Sequence, residues 1–190
     1  MILFIDTSSR VAVLATIDNN TVNEVHADAR SPELIAQLRR LAHDNPITKV
    51  AVVTGPGTFT GLRTGVSFGL GLAVGLKIPI VPLPTLALQA ARSDTPATAV
   101  VEAGRGRFYY LPPGGQGALG DPSEIPTAFP LVGWISPAGR SALEHAGHML
   151  VSEGRLRTVS AAAALKLESA NEVAYGSLKV EYMQPISTRP

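Results

Sequence analysis

The sequence holds no cysteine. Disulfides and thiolate metal sites are thereby excluded, and the chain suits a reducing compartment. Charge is sparse and balanced: 16 Lys and Arg against 15 Asp and Glu leave a formal net charge of +1. That is no field for autonomous binding of a polyanion such as nucleic acid, so any such role has to be local or shared with a partner. Only 16% of residues are charged while 45% are hydrophobic, the reverse of the balance that keeps a chain disordered. The opening MILFIDTSS has neither the basic start nor the small-residue cleavage site of a signal peptide. The longest apolar stretch, Thr64 to Leu76, runs about thirteen residues before Lys77 and Pro79 interrupt it, where a bilayer span takes roughly twenty. The expectation is a cytoplasmic protein with no membrane segment.

What is present reads as α/β. Residues 2–5 form an apolar strand ending in Asp6-Thr7-Ser8-Ser9, and Val11 to Ile17 and Thr21 to Ala27 follow as further strands across short polar turns. Ser31-Pro32-Glu33 opens a helix with Leu34, Ile35, Leu38 and Leu41 at helical spacing. Lys49 to Thr54 is a fully apolar strand, the glycine-rich segment after it a helix, Ile80-Val81 a short strand, and Thr85 caps another helix. Composition changes at Ser93-Asp94-Thr95-Pro96. Strands are predicted at 99–103, 107–111 and 131–135, and helices at 138–148 and from a Ser160 cap to Ser169. Two α/β lobes result, 1–95 and 96–190, the second smaller and carrying the C-terminal helix, with a C-terminal segment able to pack back on the first.

The segment VVTGPGTFTGLRTGVSFGLGLAVGL decides between chemistries. It is no Walker loop, because Gly61 is followed by Leu62 and Arg63 rather than by Lys and a hydroxyl residue. It is no dinucleotide fingerprint either, since Gly61 arrives four residues after Gly57 instead of three. It reads as strand, Gly-Pro-Gly turn and helix, whose free N-terminal amides can hold an anion. Gly61, Gly65 and Gly69 recur every four residues and leave one helix face bare. Each glycine costs a helix roughly 0.8–1 kcal/mol relative to alanine, a cost that close approach of another helix would offset. With Leu62, Val66, Leu72 and Leu76 around it, this is expected to be a partner face, so that Gly65→Leu blocks association and leaves the monomer folded. Packing inside the chain is the competing reading.

Asp6, Thr7 and Ser8 close an apolar strand where a nucleotide-binding lobe keeps a phosphate loop, and where turn-stabilising side chains are equally at home. An aspartic protease needs two such aspartates sharing a proton, and no second copy exists. His145 and His148 with Glu144 make a metal pair geometrically possible but offer no third ligand. Arg105 and Arg107 flank an aromatic strand. No residue set sufficient for catalysis emerges.

ILFIDTSS, TGPGTFTGLRTG and VVEAGRGRFYY together resemble the TsaB family of tRNA threonylcarbamoyladenosine biosynthesis proteins, older names for which are glycoprotease-like or M22 peptidase homologue. The resemblance covers residues 1 to about 110. It implies an actin-like ATPase fold of two RNase H-like lobes with mixed sheets flanked by helices, the second lobe here reduced. It implies a non-catalytic partner of TsaD, working with the ATPase TsaE on the adenosine beside the anticodon and meeting tRNA only indirectly. It further implies pairing through first-lobe helices, which adds Leu34 and Leu38 to the partner face, and a possible homodimer through the same face. No cofactor is required by the chain alone; ATP or ADP at the partner interface, with Asp6, Thr7 and Ser8 as phosphate contacts, is what the fold allows. Two other classes compete: an ATP-dependent phosphotransferase or ATPase of the same fold, and a peptidase. The chain departs from the family in Glu102-Ala103-Gly104 before Arg105, in Arg30-Ser31-Pro32 where His-Ser is usual, and in Val180-Glu181-Tyr182-Met183-Gln184 where Pro-x-Tyr-Leu-Arg is expected.

Overall fold

A computed structural model describes residues 1–19 and 21–182. The first sheet is built from β1 (Ile2–Asp6), β2 (Val11–Asp18), β3 (Thr21–Asp28), β4 (Lys49–Gly55) and β5 (Ile80–Pro84) in the order β3-β2-β1-β4-β5. Short turns leave β1, β2 and β3 no choice but antiparallel pairing. β4 lies parallel to β1, and β5 parallel to β4, after connections long enough to cross the sheet. Those connections carry α1 (Glu33–Asp44) and α2 (Phe59–Leu76). Because both faces of β1 and β4 are covered, their sequences are continuously apolar. Leu3, Ile5, Val50 and Val52 meet the α1 and α2 side, while Phe4, Ala51 and Val53 meet the other.

The glycine face of α2 is turned toward the sheet, which corrects the expectation of a partner face there. A β-carbon at Gly61 would strike the Thr7 carbonyl, one at Gly65 the Thr7 hydroxyl, and one at Gly69 the Val52 side chain. Thr7 Oγ donates to the Gly61 carbonyl at 2.7 Å. Close approach of this helix to its own sheet is what offsets the glycines. Leu62, Val66 and Ala73 fill in on the same side. Leu34 and Leu38 of α1 are equally buried, in the same apolar cluster. Hence Gly65→Leu would collide with Thr7 before it met any partner.

Of three further helices, the first and last cover the opposite face of this sheet, and the middle one packs its Leu143 against Val100 and Phe108 of a second sheet. α3 (Thr85–Ala90) leads out of β5, and α4 (Pro137–His145) is capped by the Ser136 hydroxyl, which accepts from the Gly139 amide at 3.1 Å. α5 (Val159–Leu167) is capped by Thr158 rather than by the expected Ser160. Ser160 is instead tied to Glu24 of β3, its amide donating at 3.0 Å and its hydroxyl also bonding the carboxylate. α5 therefore packs on the first sheet: Val159, Ala162 and Ala163 share a core with Phe4, Val13 and Leu83.

The second sheet has the order β8-β7-β6-β9, from β6 (Thr98–Gly104), β7 (Arg107–Leu111), β8 (Ala118–Gly120) and β9 (Leu131–Val132). The chain crosses to it after Ala91 and returns before Thr158, and two arginines lock these crossings together. Arg92 Nε–H donates to the Arg157 carbonyl at 3.1 Å, and the Arg157 amide donates to the Arg92 carbonyl at 2.9 Å. Arg157 also bonds the Ala91 carbonyl and Asp94, and Arg92 reaches Gln89 and Glu153.

After α5 the chain returns along α2 as a strap. The Val173 amide donates to the Ile80 carbonyl at 3.0 Å, and the Tyr175 hydroxyl to the Ala73 and Ile78 carbonyls. Leu178 and Val180 pack on the α1–α2 core. The Glu181 amide reaches the Thr54 carbonyl at 2.8 Å, so the strap runs from the C-terminal end of α2 toward its start. Gly55, at φ 124°, leaves room for the Glu181 carbonyl that any side chain would occupy.

The two rows of α2 have opposite responses to alanine. Gly61→Ala forces a backbone shift and should lose about 1–3 kcal/mol of stability. Gly71→Ala, with nothing within 4 Å of the new methyl, should gain about 0.5–1 kcal/mol. Urea unfolding of both variants beside the parent checks the pair of signs.

Candidate functional site

Two regions can carry function, the cleft at the end of β1 and the outer side of α2. At the cleft Asp6 is only 4% exposed, and its carboxylate accepts from the Ser8 amide at 2.9 Å. Burial pushes this carboxyl above the usual aspartate range, against the Ser8 hydrogen bonding and the Arg92 charge that pull it down. Thr7 turns away from the cleft to α2. The Ser8 carbonyl accepts from the Thr58 amide at 2.7 Å, so this amide at the helix start is already engaged. Asp6, Ser8, Arg10, Thr85, Glu102 and Trp134 line a cavity of about 140 Å³. The Thr85 hydroxyl in its wall is buried without a partner among the described residues.

The fold type implies a nucleotide here, and the cavity does not fit one. Sites for drug-sized ligands enclose roughly 300–1,000 Å³. Asp6 and Glu102 would face the phosphates with carboxylates, and Gly57 is pressed against the Ser8 backbone where a phosphate loop needs open space. Of the three residues expected at phosphate, Thr7 serves the α2 seat, and only Asp6 and Ser8 line the cleft.

On α2 the exposed residues are Phe59, Thr60, Arg63, Ser67, Gly71, Val74, Gly75 and Leu76. Val74 and Leu76 are each 49% exposed, and a β-carbon on Gly71 or Gly75 would meet nothing within 4 Å. Of the partner residues expected from sequence, Leu76 lies on this side and Leu72 is half-buried; Gly61, Leu62, Gly65, Val66 and Gly69 face the core. Sequence reasoning missed the second small row, Ser67, Gly71 and Gly75, which has the same four-residue period on the opposite side. By length and composition α2, at 18 residues and a mean hydropathy of 1.2, reaches what a membrane span requires, so the thirteen-residue count understated it. Its inner face is nonetheless seated on β1 and β4, as a core helix's would be.

The other candidates have local employment. His145 sits on α4 with its ring against the Ser141 carbonyl, while His148 is buried and contacts the Pro122 carbonyl at 2.8 Å. Among the described residues no three His, Asp or Glu side chains group as a metal site. Arg105 occupies the left-handed turn between β6 and β7 at φ 54°, and Arg107 bonds the Leu119 carbonyl.

The profile described as "TsaD: tRNA N6-adenosine threonylcarbamoyltransferase" matches residues 32–120. The chain is 28% identical over 123 residues to the tRNA threonylcarbamoyladenosine biosynthesis protein TsaB of Escherichia coli K12, covering 57% of this chain and 53% of that protein. It is 31% identical over 120 residues to TsaB of Bacillus subtilis 168, covering 57% and 52%. The match thus spans about half the length of these curated relatives. Among solved structures, an uncharacterized protein with similarity to peptidase YEAZ from Pseudomonas aeruginosa superposes with a TM-score of 0.71 at 19% identity, over 96% of this chain and 99% of that one. YeaZ from Pseudomonas aeruginosa gives 0.69 at 16% identity, with the same coverage. The fold is the actin-like one, with two mixed RNase H-like sheets flanked by helices and a smaller second sheet.

The raised pKa of Asp6 gives a pH signature. An acid whose folded pKa is raised favours folding while it is protonated, below the ordinary value of 3.8, and that support is lost as pH rises through the folded pKa. Asp6→Asn keeps an acceptor for the Ser8 amide without the buried charge. Its melting temperature should exceed the parent's at pH 7–8, and the difference should shrink toward pH 4 in a thermal melt series.

Proposed function

From the premise that this chain is a relative of the TsaB proteins, matched through its first sheet and helices, we propose that it is a non-catalytic partner of TsaD in making threonylcarbamoyladenosine on tRNA, acting together with TsaE. The observation that carries the reading is the outer side of α2. Ser67, Gly71 and Gly75 form a flat row on a helix whose Val74 and Leu76 are half exposed, with no part of the described chain laid over it. Apolar surface left in this state on an otherwise well-packed lobe marks a protein interface, and a small-residue row lets a partner helix come close.

In this reading the docking lobe is 1–95, to which α5 and the strap return from the second lobe that begins at residue 96. Of the residues expected at the interface, Leu76 and Leu72 belong to it, and the glycines that serve it are Gly71 and Gly75. Leu34 and Leu38 support it from beneath, by holding α1 in place. A second copy of the chain can use the same face when TsaD is absent. Contact with tRNA is left to the partner, as the net charge of +1 suits. A nucleotide that the assembly uses lies at the partner interface rather than in the 140 Å³ cleft. The setting is the cytoplasm.

Purified chain should raise tRNA threonylcarbamoylation by TsaD and TsaE above the level reached without it. Gly71→Leu, which adds bulk outward, should abolish TsaD binding in calorimetry while its melting curve stays at or above the parent's. TsaD binding by Gly71→Leu as tight as the parent's would remove α2 from the interface.

A further inference from the structure

Arg63 is the one charged side chain of α2, and it is held in an unusual way. Its guanidinium carbon lies 3.7 Å from the centre of the Phe59 ring and 6.0 Å from that of Tyr182, and the two rings are 5.5 Å apart. Arg63 Nε–H donates to the Tyr182 hydroxyl at 3.0 Å. A guanidinium has five N–H donors in a rigid plane. One is used here to fix that plane, and the Nη donors make no hydrogen bond among the described residues. Both rings remain open to solvent, Phe59 at 53% and Tyr182 at 38%. An arginine normally loses much side-chain freedom when it binds; this one is already stacked on Phe59 and tethered to the Tyr182 hydroxyl. A planar fork held in this way suits bidentate capture of a carboxylate or phosphate.

We propose that Arg63, clamped by Phe59 and Tyr182, is the receptor for an aspartate or glutamate side chain of the protein that docks on α2, which makes the end of the C-terminal strap part of the docking surface. The proposal rests on the reading of α2 as the TsaD face. A carboxylate is favoured over nucleic-acid phosphate because backbone binding needs several cations along successive phosphates. α2 offers one, and the strap beside it carries Lys179 balanced by Glu181. A different protein is favoured over a second copy because α2 contains no Asp or Glu, so α2 packed on α2 would bring Arg63 no carboxylate from that helix. The surroundings are continuous with the uncovered face: Phe59, Val74, Leu76, Tyr175 and Tyr182 are all exposed large apolar side chains along α2 and the strap. The acid would therefore arrive on an apolar surface, where a charge pair is less screened than in open water.

The test is calorimetric titration of the full chain with TsaD at low and high salt, with thermal melts of every variant. Arg63→Lys keeps the charge but loses the fork, and should bind about tenfold more weakly with an unchanged melt, as should Arg63→Gln. Tyr182→Phe keeps the ring and loses the tether, and should weaken binding by a few-fold. Arg63→Glu should lose binding and regain it when one acidic residue of TsaD is changed to lysine. Parent-like binding by Arg63→Lys and Arg63→Gln, with Gly71→Leu still defective, overturns the acid receptor and leaves the docking reading standing. Parent-like binding by all three variants overturns both. Loss of self-association alone, by sedimentation equilibrium of Arg63→Gln, assigns the fork to a second copy and also overturns the proposal.

Discussion

The first lobe depends on how closely α2 sits on its sheet. The Thr7 hydroxyl bridges to the Gly61 carbonyl at 2.7 Å, and from that contact the inner residues of the helix follow. Gly61 and Gly65 have to be bare because Thr7 occupies their space, and Gly69 because Val52 does. With those positions given to glycine, helix stability cannot come from propensity, and it comes from burial of Leu62, Val66 and Ala73 beside the glycine row. The same seat sets the cleft. With Thr7 drawn toward α2, the neighbouring Asp6 and Ser8 are left facing the space between the sheets, where Asp6 is buried too deeply to ionise easily.

Most elements of the first lobe could be read directly, because the signals are local: apolar runs bounded by polar turns, a Ser-Pro-Glu helix start, and Gly-Pro-Gly before a long apolar segment. The direction in which α2 faces could not. A four-residue glycine period locates a row on a helix but not the side on which the sheet lies, and α2 carries a second row at Ser67, Gly71 and Gly75. The two rows differ only in what stands opposite them, which is information held by Thr7 and Val52, not by the helix. The Thr158 cap escaped for a similar reason. Ser160 is as good a cap in isolation, but Glu24, far earlier in the chain, takes its hydroxyl. The sheet that α5 covers could not be read either, because its alanine-rich sequence fits both. Nothing in the sequence links Arg63 with Tyr182, which lie 119 positions apart.

The cleft at the end of β1 is small, and its walls carry two carboxylates. Asp6 at the end of β1 and Glu102 across from it line a cavity of about 140 Å³, below the roughly 300–1,000 Å³ of sites for drug-sized ligands. What remains strongly specified is the side of the lobe away from the cleft. There the strap, α1 and α2 form one layer, and Tyr175 and Tyr182 fasten the strap to the two ends of α2. Function in such a molecule is more readily carried by its exterior than by its interior.

The paired arginines at the two crossings have a mechanical consequence. Hinge motions between lobes require a few residues free to absorb changes in φ and ψ. Here each crossing strand holds the other by its own carbonyl, Arg92 to Arg157 and back again. The two crossings are thus hydrogen-bonded to each other where the chain passes between the sheets, and opening about that point would have to break both bonds. A protein tied in this way would have less internal entropy to lose on meeting a partner, which lowers the cost of association before any contact is made.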